Sequence, residues 1–156
     1  MDGITLGVLG AAIAVTIPAI GSAISVSRVG QSAAGLISEE PEKFGKALLL
    51  QVLPGTQGIY GFLAAVLALQ KLGIFGDEVV NISNSGGWQI LFACFPIAIA
   101  GFISAVFQGK VSVSGVSVLA KKPDEVGKAI ILSAMVETYA VIALLASILI
   151  LNGITV

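Results

Sequence analysis

Four apolar segments, each longer than a membrane is thick, constrain this chain more than any other feature of its sequence. They cover residues 3–37, 43–73, 87–120 and 125–152. About 20 apolar residues suffice for a helix to cross the hydrocarbon of a bilayer. Hydrophobic residues make up 56% of the chain and charged residues only 11%, which lies outside the range of soluble globular domains. The sequence therefore predicts an all-α membrane protein with four transmembrane helices in a single membrane domain, residues 1–156.

Short polar turns and one longer loop separate these segments. The turns "SEEPEK" and "KKPDEV" each contain a proline, whereas "GIFGDEVVNISNSGGW" is a longer link rich in Gly, Asn and Ser. Prolines and such polar clusters interrupt helices. We therefore expect two helical hairpins, the first over residues 3–73 and the second over 87–152.

The basic residues predict the orientation of the hairpins. Seven of the eight Lys and Arg residues lie at or near the two tight turns, and only Lys71 lies toward the other side. Because Lys and Arg accumulate in cytoplasmic loops, we expect a multi-pass protein of the cell membrane with both termini outside. The turns at 38–42 and 121–124 would then be cytoplasmic.

The two halves of the chain resemble each other at a constant offset. "PEKFGKALLLQVLPGT" aligns with "PDEVGKAIILSAMVET", matching Pro41 with Pro123. Chance similarity between apolar helices is the alternative, but the shared turn chemistry favours duplication. Two helices per copy make this a parallel repeat rather than an inverted one. Glu137 aligns with Gly55, so only the second hairpin has a carboxylate at this position.

Three polar side chains, Gln57, Gln108 and Glu137, lie at a similar predicted depth on three different helices. Counted from the charged residues of the tight turns at a rise of about 1.5 Å per residue, each lies roughly 20 Å into its span. A charge at mid-membrane costs about 2.5–3.5 kcal/mol on insertion scales and is usually functional. We therefore expect these three residues to meet at a functional site.

The second segment adds a backbone irregularity at the same depth. Pro54 cannot donate a backbone hydrogen bond, so the carbonyl of Leu50 loses its helical partner and a kink is expected. Thr56 and Tyr60 share a helix face with Gln57. Thr and Gln oxygens, a loosened carbonyl and one carboxylate describe an oxygen cage for a hard monovalent cation. Interhelical hydrogen bonding by the Gln residues and a packing kink at Pro54 are the alternatives.

Stripes of small residues mark the first and third segments. Gly3, Gly7 and Ala11 recur at four-residue intervals in the first, and Gly101, Ala105 and Gly109 recur similarly in the third. Such stripes permit close helix approach. We expect an inner ring of first and third helices shared between copies, with intrachain packing or simple dimerisation as alternatives.

Several classes of chemistry have no support in the sequence. The chain contains no His, the side chain that most often serves as metal ligand and neutral-pH base. It has no basic tract for nucleic acid and no GxxxxGK[ST] sequence to cradle a nucleotide. We therefore expect no nucleic-acid partner and no nucleotide site within this chain.

"LPGTQGIYGF", "QGK" and "MVETYA", on a duplicated four-helix chain of this length, closely resemble the proteolipid or K subunit of the V-type ATPase rotor ring. The resemblance covers essentially all 156 residues and is closest to the bacterial sodium-translocating members. It implies that Tyr60 donates a hydrogen bond to Glu137. It also implies Na⁺ ligands from the Leu53 carbonyl, Thr56, Gln57, Gln108 and Glu137.

The resemblance further implies a rotary mechanism and a set of partners. Copies of the chain would form a homo-oligomeric ring surrounded by membrane lipid. This ring would turn against a membrane stator subunit that has a conducting Arg, and central-stalk subunits would bind at its cytoplasmic loops. ATP hydrolysis elsewhere in the complex would drive the rotation, so this chain would be a non-catalytic membrane subunit. One Na⁺ per chain would be carried. The alternatives are the same role with H⁺, a small Glu-dependent secondary exporter, and a structural four-helix protein.

Overall fold

The computed structural model describes residues 2–76, 80 and 82–155, and their regular structure is entirely helical. The α-helices are α1 (Gly3–Glu39), α2 (Phe44–Val52), α3 (Thr56–Lys71), α4 (Asn84–Lys121) and α5 (Val126–Gly153). Among the described residues, four helical segments are long and apolar enough to span a membrane. They are Gly3–Glu39, Pro41–Lys71, Asn84–Lys121 and Pro123–Gly153. Their ends differ from the predicted ends by at most three residues.

Capping side chains define where the first and third spans begin. The Asp2 carboxylate accepts a hydrogen bond from the Thr5 backbone N–H at 2.8 Å, and the Ser83 hydroxyl accepts one from the Gly86 N–H at 3.2 Å. Both satisfy backbone donors that have no partner within the helix. Hydrogen bonds from the Thr5 side chain and backbone also hold the pKa of the Asp2 carboxyl below its usual value.

The two tight turns have the same backbone geometry. Glu40 (φ −133°, ψ 74°) ends α1 and Lys122 (φ −143°, ψ 76°) ends α4. Each precedes a proline, which disfavours the helical conformation of the residue before it. A 3₁₀ turn follows in each case, Pro41–Lys43 in the first hairpin and Pro123–Glu125 in the second.

The second span is interrupted at Pro54. A 3₁₀ turn, Leu53–Gly55, separates α2 from α3, as the missing N–H of proline requires. The backbone N–H of Gly58 donates to the Ser22 hydroxyl of α1 at 3.0 Å. The irregularity predicted at Pro54 is therefore present as a 3₁₀ turn, and a side chain from the first span helps to hold it.

Helices α1 and α4 pack together along most of their length, with α3 against α1 and α5 against α4. Small residues permit this approach. A Cβ at Gly101 would lie 3.2 Å from the Pro18 Cβ, and one at Gly109 would lie 2.5 Å from the Ser25 Cβ. The small-residue stripes expected to face other copies therefore pack largely within one chain, because α1 and α4 need them for their own contact.

Two apolar clusters of described residues fill the interior, one toward the turns and one toward the α3–α4 loop. The turn-side cluster comprises Val29, Ala33, Ala47, Leu50, Val116, Leu119, Val126 and Ala129. The loop-side cluster includes Ala11, Ala14, Ala64, Ala68, Leu72, Ile90, Cys94, Ile97, Ala143 and Leu151. Buried polar side chains occupy the layer between them. The polar layer is thus closed by apolar packing on both sides.

Lys43 ties the first hairpin to the second at the turns. Its side chain is only 9% exposed, and its Nζ lies 2.6 Å from the Glu40 carboxylate. The same Nζ donates to the Ala120 carbonyl at 3.0 Å. This ammonium therefore lies at the carbonyl end of α4, where the helix dipole favours positive charge. Lys46 adds a second bond between the hairpins, to the Pro123 carbonyl at 3.0 Å.

Replacing Lys43 with Met should destabilise the chain by about 1–2 kcal/mol, because an ion pair and the cap on α4 are both lost. Lys128→Met is the matched control. Lys128 pairs with Glu125 at the same i, i+3 spacing but is 77% exposed, so its loss should cost less than about 1 kcal/mol. Thermal unfolding in detergent measures both variants, and equal losses would contradict the assigned role of Lys43.

Candidate functional site

Glu137 receives hydrogen bonds from two other spans. Its Oε1 accepts from the Tyr60 hydroxyl of α3 at 2.5 Å, and its Oε2 accepts from Gln108 Nε2 of α4 at 3.3 Å. The carboxylate is half-buried on α5. Two donors thus replace part of the hydration that a charge loses inside a membrane.

The two glutamines are joined directly. Gln57 Nε2 donates to Gln108 Oε1 at 2.5 Å, and both side chains are fully buried. Together with the bond from Gln108 to Glu137, this makes a continuous chain of hydrogen bonds across α3, α4 and α5. The predicted convergence of the three residues is therefore present, because helices of constant rise that start from adjacent turns reach the same depth.

The 3₁₀ turn supplies the remaining oxygens. The Thr56 hydroxyl donates to the Leu53 carbonyl at 3.0 Å and lies 3.5 Å from Gln57 Oε1. The Leu53 carbonyl also accepts the Thr56 backbone N–H. Pro54 thus shapes the segment in which the Leu53, Thr56 and Gln57 oxygens lie close together.

Ser104 of α4 also contacts the site, although the sequence analysis did not assign it there. Its hydroxyl accepts from Gln57 Nε2 at 3.2 Å and donates to the Val136 carbonyl at 3.0 Å. Its position in the sequence could have indicated this role, because Ser104 lies four residues before Gln108 and therefore on the same face of α4. Gln51, by contrast, lies next to Gly30 of α1.

The side chains of this network suit one monovalent cation or a proton. They comprise one carboxylate with hydroxyl, amide and backbone oxygens. Oxygen ligands suit hard cations, and a single carboxylate is neutralised by one positive charge. Within residues 2–76, 80 and 82–155, no group of three His, Cys, Asp or Glu side chains is placed to hold a metal ion.

The carboxylate lies where the packed interior meets the exposed face of α5. Tyr139 and Met135, on either side of it in the sequence, are 68% and 59% exposed, whereas Gln57 and Gln108 are buried behind it. In a membrane, the face beside Glu137 would meet lipid or another protein chain. A charge in this position needs compensation at all times, since lipid offers none.

Tyr60→Phe removes one of the two donors to Glu137 and should destabilise the chain by about 1.5–3 kcal/mol, the range for hydrogen bonds to charged groups. Tyr139→Phe removes a hydroxyl from a largely exposed ring on the helix of Glu137, so its effect should lie within about 0.5 kcal/mol. SDS titration of helicity compares the variants, and indistinguishable midpoints would show that the Tyr60 bond contributes nothing.

Comparison with known proteins identifies two matching regions and several relatives. The family model for the ATP synthase C subunit matches twice, over residues 9–68 and 91–150. The V-type sodium ATPase subunit K of Enterococcus hirae is 45% identical over 152 residues, which cover 97% of this chain and 94% of the relative. The matches therefore extend over nearly the whole chain, and the family model falls once in each predicted hairpin.

Two further relatives carry different names. The A-type ATP synthase subunit K of Methanocaldococcus jannaschii is 38% identical over 154 residues, covering 99% of this chain and 65% of the relative. The 16 kDa proteolipid of the V-type proton ATPase of Nephrops norvegicus is 29% identical over 117 residues, covering 75% of this chain and 71% of the relative. The similar proteins thus include one named for sodium and one named for protons.

Proposed function

The chain belongs to the ATP synthase C family as a V-type proteolipid rotor subunit, and we propose that it carries one Na⁺ per chain at Glu137. The observation that carries the proposal is the convergence on one carboxylate of side chains from α3 and α4. The 45% identity to a sodium ATPase subunit supports sodium as the ion.

The proposed ion ligands come from three spans. The second span would supply the Leu53 carbonyl, Thr56 and Gln57, the third Gln108, and the fourth Glu137. The contacts among these groups support the assignment. The Thr56 hydroxyl lies 3.0 Å from the Leu53 carbonyl and 3.5 Å from Gln57 Oε1, and amide hydrogen bonds join Gln57 to Gln108 and Gln108 to Glu137. Groups already this close need little movement to turn their oxygens toward an ion. Tyr60 would hold the Glu137 carboxylate in place without binding the ion.

Transport on this proposal is a cycle of neutralisation and release. Na⁺ bound at Glu137 cancels the charge while the site faces lipid, avoiding a penalty of about 2.5–3.5 kcal/mol on insertion scales. At the interface with the stator, an Arg of that subunit would compete for the carboxylate and release the ion. Moving each ion against 100 mV requires about 2.3 kcal/mol.

The subunit itself performs no ATP chemistry. It is a non-catalytic membrane component of the ATPase complex, and its family forms a homo-oligomeric ring. Rotation would be driven by ATP hydrolysis in partner subunits, connected through a central stalk at the turns. The predicted orientation, with both termini outside and the turns cytoplasmic, would bring Pro41–Lys43 and Pro123–Glu125 to that stalk.

The unequal hairpins set the proposed stoichiometry. Residues 3–73 would form the first hairpin repeat and 87–152 the second, and only the second has a carboxylate at the site, since Gly55 occupies the equivalent place. One ion per four helices lowers the number of ions carried per turn for a given number of helices. Such a ring suits a pump that works against a steep gradient, and the measured ion-to-ATP ratio would test this.

Carbodiimide should label Glu137 in the isolated ring, and millimolar Na⁺ at fixed pH should slow the labelling, because the bound ion occupies the carboxylate. An equal concentration of choline controls for ionic strength, and Glu137→Gln controls for labelling elsewhere. Labelling that proceeds at the same rate with and without Na⁺ would instead favour a proton-carrying rotor.

Gln57→Ala and Gln108→Ala should each raise the Na⁺ concentration for half-protection about tenfold, because each removes an amide from the site. Some proton-coupled turnover should remain. Gln51→Ala is the matched control, since Gln51 lies beside α1 and not in the site. Unchanged Na⁺ affinity in both site variants would assign the two glutamines to helix packing alone.

Native mass spectrometry of the detergent-extracted protein should give a large homo-oligomeric ring. The contacts that hold such a ring together are between copies of the chain. A mild detergent that leaves bound lipid in place is therefore required to keep them intact. A dimer would contradict the rotor and agree instead with the small secondary exporter.

A further inference from the structure

Ser104 connects the Glu137 helix to the buried glutamine pair. Its side chain is 4% exposed and makes two hydrogen bonds, one with the Val136 carbonyl at 3.0 Å and one with Gln57 Nε2 at 3.2 Å. Val136 directly precedes Glu137 in α5. The serine therefore contacts two spans that both contribute to the proposed ion site, although it is not one of the proposed ligands.

The Ser104 hydroxyl has one hydrogen, and the Val136 carbonyl fixes where it points. A backbone carbonyl accepts hydrogen bonds and never donates them, so the Ser104 hydrogen must lie toward Val136. Toward Gln57 the hydroxyl can then only accept. The side chain of Gln57 must present its NH₂ group, and not its carbonyl oxygen, to Ser104.

Both hydrogens of the Gln57 NH₂ group are thereby used. One goes to Ser104 Oγ and the other to Gln108 Oε1, 2.5 Å away. The Gln57 carbonyl oxygen is left on the opposite side, 3.5 Å from the Thr56 hydroxyl. Flipping the amide, so that its oxygen and nitrogen exchange places, would bring this oxygen against two acceptors. Both hydrogen bonds would then be lost in a buried site.

We propose that Ser104 is a positioning residue that fixes the Gln57 amide so that its carbonyl oxygen is directed to the transported Na⁺. The inference rests on the proposed sodium function and extends it to a residue outside the ligand set. Without the serine, the amide can turn its NH₂ group to the ion, and a positive ion is repelled by such a donor. Sodium affinity would fall while Glu137 kept both of its own donors.

The equivalent serine of the first hairpin has a different role. Ser22, which occupies the same place in the first copy of the repeat, accepts from the Gly58 backbone N–H at 3.0 Å and so supports the interrupted helix. Each hairpin thus uses this serine to bond another span, but only the serine of the second hairpin bonds a side-chain amide. This difference agrees with the presence of the carboxylate in the second hairpin alone.

Na⁺ protection of Glu137 from carbodiimide in assembled rings tests the proposal. Ser104→Ala should raise the Na⁺ concentration for half-protection about tenfold, while the labelling rate without Na⁺ stays within twofold of wild type. Ser104→Thr keeps the hydroxyl and should restore the affinity. Ser112→Ala is the matched control, because Ser112 is a fully buried serine of α4 that bonds Ser133 at 2.7 Å.

Each failure has a distinct signature. Wild-type rings that Na⁺ does not protect would overturn the sodium function and this inference with it. Protected wild-type rings together with wild-type affinity in Ser104→Ala would overturn the inference alone, as would equal losses in Ser104→Ala and Ser112→Ala. If Ser104→Ala rings do not assemble, Ser104→Cys replaces it in the test, because a thiol is close in size to the hydroxyl but forms weaker hydrogen bonds. Wild-type Na⁺ affinity in Ser104→Cys would also overturn the inference.

Discussion

The packing of this four-helix unit is organised around one carboxylate, Glu137, placed in the middle of an apolar helix. An unpaired charge at membrane depth is costly, so Glu137 needs hydrogen-bond donors or a counter-ion. Tyr60 and Gln108 provide the donors from two other spans. Because both donors come from different helices, their positions relative to Glu137 depend on how the whole four-helix unit packs. The apolar clusters, the turns and the interrupted second span all serve to keep that packing constant.

The polar layer is sheltered by the arrangement of the helices around it. Gln57 and Gln108 are fully buried, with apolar clusters toward the turns and toward the loop. Inside such a layer, hydrogen bonds are stronger and unpaired groups more costly than at a surface. A network of this kind therefore favours one arrangement of its amides over the flipped one. Selective binding of a small cation requires that property, since oxygens attract the ion and N–H groups repel it.

Duplication explains both the regularity of the scaffold and the irregularity of the site. The two turns share the same backbone geometry, and Ser22 and Ser104 occupy equivalent places in the repeat. At the site itself the copies differ, with Pro54 and Gly55 in one and Val136 and Glu137 in the other. The first copy provides an interrupted backbone and the second a carboxylate. Two diverged halves of a symmetrical fold thus contribute complementary parts to one site.

The amino-acid sequence was enough to predict the four spans, the two proline turns, the break at Pro54 and the shared depth of Gln57, Gln108 and Glu137. These follow from local rules, because segment length, proline chemistry and the constant rise of a helix do not depend on neighbours. Three features depend on how the helices pack and were not predicted. They are the cap that Lys43 forms on α4, the bond between Ser104 and Gln57, and the packing of the glycine stripes within the chain. In a membrane helix, residues facing lipid and residues facing the core are both apolar, so the pattern does not reveal which side faces inward. Only the packed helices, by bringing distant polar groups within hydrogen-bond reach, decide which of them become partners.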